Sequence, residues 1–112
     1  MDIKLTDLEP EWVIATDGSH ARSDQLTIVN AQGILFLDPV EFTKNGGPIG
    51  TSSVLVWFRG RGVPDDKEPR PGRWDVAGTG FDDLTLSPSI DLTVQGEFPD
   101  RWHGFIKAGR VT

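Results

Sequence analysis

Five residues, Gly33-Ile34-Leu35-Phe36-Leu37, constrain this chain more than any others. Successive side chains of a strand point to opposite faces, so a strand that is apolar at every position after its glycine must be covered on both. A central strand is therefore expected here. It runs directly into Asp38-Pro39-Val40-Glu41, which has the order of a helix start. Asp38 supplies a carboxylate N-cap, proline stands at the first helical position, and Glu41 can return a bond to the cap amide. The helix should end within a turn or two at Asn45-Gly46-Gly47-Pro48, with Gly46 taking the left-handed cap.

The other apolar runs must supply the cover. Residues 51–58 (TSSVLVWF) alternate Val54, Val56 and Phe58 with Leu55 and Trp57, a second strand with two apolar faces. Residues 26–30 (LTIVN), separated from Gly33 by turn-forming residues, are expected to pair with residues 33–37 as an antiparallel hairpin. Residues 84–106 should provide two further short strands whose core lies on residues 33–37. Towards the beginning, Pro10 favours a short turn followed by extended Trp12-Val13-Ile14. Residues 15–25, with Asp17-Gly18, read as a hairpin loop or exposed connection carrying a solvated His20. Near the end, Gly109 suits a hairpin returning Val111 to a sheet edge.

Residues 59–83 differ in character: proline and glycine recur throughout, so regular structure should be scarce. Trp74 and Phe81 argue that this long loop is nonetheless ordered, because an aromatic anchor can lay an irregular segment on a core. The expected fold is thus a single domain over residues 1–112. It is mainly β, a small antiparallel sandwich or open barrel of five to seven strands, with one short helical turn and a long ordered loop.

Composition narrows the function classes. The 112 residues include no cysteine, which removes disulfides, thiolate zinc sites and cysteine nucleophiles together. Net charge is −6; residues 1–58 carry eight acids against three bases, and residues 59–112 nine against eight. Such a field disfavours phosphate backbones and permits contact with a basic partner. No apolar leader or span follows Met1, so a soluble product is expected, not one secreted by a signal peptide or bound to a membrane.

Two spacings carry the remaining chemistry. Asp38-x-x-Glu41 follows one strand and Asp100-x-x-His103 opens another, so the four side chains could converge as paired knuckles around a metal. The segments Lys-Asn-Gly-Gly-Pro (44–48), Trp-Phe-Arg-Gly-Arg-Gly-Val-Pro (57–64), Pro-Gly-Arg-Trp (71–74), Gly-Thr-Gly (78–80), Asp-Asp-Leu-Thr-Leu-Ser-Pro-Ser (82–89) and Trp-His-Gly-Phe (102–105) extend the pattern. With them the chain, over about residues 33–111, resembles a family of small tailed-phage and prophage proteins sometimes labelled "ammonia monooxygenase". Members carry Cys-Pro-x-Cys and Cys-x-Trp-His-Gly-Phe motifs. The resemblance implies a zinc-ribbon-like knuckle and no established activity. In place of its three cysteines stand Asp38, Glu41 and Asp100, with His103 kept.

Hard carboxylates are poor substitutes for thiolates at tetrahedral zinc. Loss of the metal, with no cofactor, is the favoured reading, leaving Asp38 and Glu41 as cap residues and His103 as a packed histidine. A changed zinc, manganese or calcium site and a carboxylate–histidine dyad are the alternatives, the dyad lacking any nucleophile motif. Structural zinc can supply about 10 kcal/mol or more of folding free energy, so burial against a partner is expected to replace it. The favoured function is a non-enzymatic protein-binding module of a virion, such as a capsid decoration or minor tail protein, acting on phage structural proteins or on itself as an oligomer. A small acidic inhibitor presenting Asp2, Asp7, Glu9, Glu11, Asp17 and Asp24 as a mimic of DNA charge is the second reading, and a metal-dependent enzyme the third. Arg59, Arg61, Arg70, Arg73 and Trp74, the one basic island, are the candidate partner-binding residues; the net charge disfavours nucleic acid as their ligand.

Overall fold

The glycine-led apolar run forms the central strand that its pattern predicts. A computed structural model of the chain describes residues 1–70, 72–92 and 102–112. In chain order they form β1 (Ile3–Lys4), a 3-10 turn (Leu5–Leu8), β2 (Glu11–Ala15), β3 (His20–Arg22), β4 (Gly33–Leu37), α1 (Pro39–Asn45) and β5 (Ser53–Trp57). Then follow β6 (Asp75–Ala77), β7 (Thr85–Ser87), β8 (Ile90–Asp91), β9 (His103–Gly104), β10 (Ile106–Lys107) and β11 (Arg110–Val111). The protein is mainly β, and its described residues form small antiparallel sheets with one α-helix and no closed barrel. Eleven strands stand among the described residues where five to seven were expected, because the irregular segments pair in ladders only two or three residues long.

The largest sheet has the order β3-β2-β4-β5. The partner of β4 on its first side is β2, with Trp12 opposite Ile34, and not residues 26–30. Those five residues form a turn instead. The Asn30 side chain accepts from Thr27 N at 2.6 Å, and Thr27 O accepts from Asn30 N and Ala31 N, so local bonds outcompete the ladder. The turn buries Ile28 and leaves Val29 81% exposed. Asp17-Gly18 does close a hairpin, but His20 opens β3 opposite Ala15, half-buried with Nδ1 2.9 Å from Ser19 Oγ.

One face of this sheet presents Trp12, Ile34, Phe36, Val54 and Val56 to the main core. Leu84, Leu86, Ile90, Trp102, Ile106 and Val111 close over it, joined by Leu5 and Leu8. Phe36 meets Trp102 edge to face, centroids 5.9 Å apart, so the described residues between 84 and 106 find their core on β4 as expected. The other face carries a shorter row in register, Val13, Gly33 and Trp57. A Cβ at Gly33 would lie 2.8 Å from the Trp57 ring and 2.5 Å from Val56 O, so the indole occupies the space a side chain would need.

That indole is the seat of the long loop. Trp57 Nε1 donates to Glu68 O, and Trp74 N and Arg59 N bond Trp57 O and Trp74 O in turn, continuing the β5 edge. Phe81 stacks on Trp12 at 4.2 Å. The loop is ordered as its aromatics predict, although β6 lies inside the segment expected to lack regular structure and pairs with β7 just beyond it. The final hairpin turns at Ala108 and Gly109, with φ of 49° and 76°. Val111 does not reach an edge: β11 lies between β1 and β10, because Arg110 clamps Asp2 with two bonds near 3 Å and draws β1 alongside.

Candidate functional site

The expected knuckle begins as the sequence predicts. Asp38 is fully buried, and its Oδ1 accepts from Val40 N at 2.9 Å and Glu41 N at 3.2 Å, while Pro39 takes the first helical position and Gly46 the left-handed cap. Glu41 departs from the capping box. The cap amide, Asp38 N, donates to Ser52 O, and the Glu41 carboxylate instead accepts from Ser52 N and Ser52 Oγ. The helix is thereby stapled to the start of β5, and the two acids serve different elements. His103 is not packed: its side chain is 55% exposed on β9, with Nδ1 4.0 Å from Asp91 Oδ2 across the β8–β9 pair. Asp100 lies outside the described residues. Among the described residues no three His, Asp or Glu side chains gather as a metal site.

The basic island is largely turned inwards. Arg73 donates to four carbonyls, those of Pro69 and Gly72 through Nη1 and of Pro64 and Lys67 through Nη2. One guanidinium thus gathers the backbone carbonyls of Pro64, Lys67, Pro69 and Gly72. Arg61 donates to the carbonyls of Ile28, Val29 and Ala31 and stands over the Phe58 ring, fixing the turn that replaced the expected strand. Arg59 pairs with Asp75 and Arg70 with Glu68, both at the surface. Trp74 is half-buried, with Nε1 donating to Ser89 O.

Of the six acids considered as a DNA-like surface, two are neutralised. Asp2 is held below the ordinary carboxylate range by the bond from Arg110, and Glu11 pairs with Arg22 at 2.5 Å, which holds that guanidinium above its ordinary value. The others are exposed on separate elements: Asp7 in the 3-10 turn, Glu9 just after it, Asp17 at a hairpin tip and Asp24 in the turn after β3.

A feature that the sequence reading did not single out lies between these groups. Trp12, Leu26 and Phe81 floor a groove of about 530 Å³, rimmed by Glu11, Arg22 and Asp24. Trp12 and Phe81 stack 16° from parallel, and Trp12 meets Phe58 edge to face at 6.3 Å. The available signal was Phe81 itself, an aromatic in a glycine-rich, acidic loop. No protein-family model, curated protein or solved structure matches the chain.

Proposed function

We propose that this chain is a non-enzymatic protein-binding module, in its most specific form a virion accessory protein such as a capsid decoration or minor tail protein. The observation that carries the reading is the turn after α1. There Ile49 is 90% exposed on a segment braced from within: Thr51 Oγ1 donates to Gly47 O, Asn45 Nδ2 donates to Thr51 Oγ1, and Thr51 N donates to Pro48 O. A lone exposed aliphatic is ordinary, but one presented on a preorganised turn loses little entropy on docking. The polar side chains that chemistry would draw on point the same way. Asp38 holds a helix start, Glu41 ties that helix to the start of β5, and Arg61 and Arg73 hold backbone carbonyls. The phage context comes from the resemblance, to which the Ile49 turn belongs through residues 44–48.

The test is a photo-cross-linking amino acid placed at position 49 in the phage-producing host, with adducts identified by mass spectrometry. A virion protein captured from position 49, and not from the exposed control position Thr43, is the expected result. The same set of adducts from both positions overturns the reading.

A further inference from the structure

We propose that the groove floored by Trp12, Leu26 and Phe81 binds a basic, arginine-bearing segment of a partner protein. The inference rests on the protein-binding reading and names the chemistry of the partner. Its floor is an aromatic pair stacked at 4.2 Å beside an aliphatic side chain, and guanidinium planes stack on such faces. Its rim is acidic. Glu11 is engaged by Arg22, while Asp24 makes no ion pair among the described residues. Glu9 stands in the adjoining recess, which shares Glu11 and Arg22 with the groove. Two carboxylates on the rim and a third in the adjoining recess, against one guanidinium, leave this region negative, within the half of the chain that holds most of its acidic surplus. The chain already shows the recognition it would use, since Arg22 is held at the rim by Glu11. A volume of about 530 Å³ accommodates several side chains, so the fit is to a short segment rather than one residue.

The experiment is an amide NMR titration of the full chain with a short peptide alternating arginine and leucine. Peptides with citrulline or glutamate in place of arginine serve as controls. Saturable shifts at the Trp12 indole, the amides of residues 22–26 and Phe81 are expected, weakening with added salt. Asp24→Lys, at an exposed position in a turn, should weaken binding about tenfold without altering the rest of the spectrum. Phe81→Leu, which keeps an apolar floor, should weaken it through loss of stacking. Equal binding of the citrulline peptide, shifts centred elsewhere, or indifference to Asp24→Lys overturns the proposal. Shifts that grow with protein concentration and no peptide assign the groove to a second copy and also overturn it. A failed titration beside a specific cross-link from position 49 removes the groove assignment alone; a successful titration beside a failed cross-link removes the virion reading alone.

Discussion

Single residues divide this protein's polar groups into those that hold backbone and those that face out. Asp38 belongs to the first kind, a fully buried carboxylate on two helix-start amides. Asp38→Ala should cost about 2 kcal/mol in chemical denaturation, since the cap bonds go and half-buried amides are left unmet. Asp38→Asn, which keeps an acceptor oxygen, should cost less than half as much. If the two variants are equally destabilised, the cap is not what Asp38 provides. Arg73 acts at a longer reach, its two terminal nitrogens spanning four carbonyls that no point-like ammonium can bridge together. Arg73→Lys should speed amide exchange across residues 64–70 by a factor equivalent to about 2 kcal/mol, with a smaller shift in the global midpoint.

Elements are placed by fit between rows of side chains more than by propensity. β4 sits between β2 and β5 because Val13, Gly33 and Trp57 form one row in which a missing side chain makes room for an indole. Gly33→Ala should therefore destabilise by about 1–3 kcal/mol through overpacking, and Trp57→Leu in the same chain should recover part of that loss. Purely additive losses in the double-mutant cycle would show that the two residues do not compete for space. The β4 strand, its continuation into α1, the Gly46 cap, β5 and the order of the long loop were all legible, since each follows from local pattern. Residues 26–30 were not. Their β-branched composition reads as strand, yet Thr27 and Asn30 close a turn on their own backbone, and Arg61, some thirty residues later, caps its carbonyls. Glu41 misled in the same way: its position predicts a capping box, and Ser52, eleven residues on, takes its carboxylate.

For the whole molecule, stability includes carboxylate contacts that titrate, one within a loop and one joining the two ends of the described chain. Asp83 lies below its ordinary value of 3.8 because Thr79 N, Thr79 Oγ1 and Gly80 N donate to its carboxylate, and Asp2 because of Arg110. A depressed folded-state pKa contributes stability that is complete above the unfolded value and lost as pH falls through the folded one. Stability should thus hold down to about pH 4 and decline below it, and Asp83→Asn combined with Asp2→Asn should flatten that decline in midpoints measured between pH 2 and 5. An unchanged slope would place the acid sensitivity elsewhere. Class and core were determined locally: alternation names the strands, and an all-apolar strand demands cover on both faces whatever supplies it. The stacking of Phe81 on Trp12, the groove they floor, and the placement of His103 opposite Asp91 arise from pairings between segments apart in sequence. A linear pattern carries the side chains that such pairings need, but not which distant surface each will meet, because that is settled by the joint packing of the whole chain.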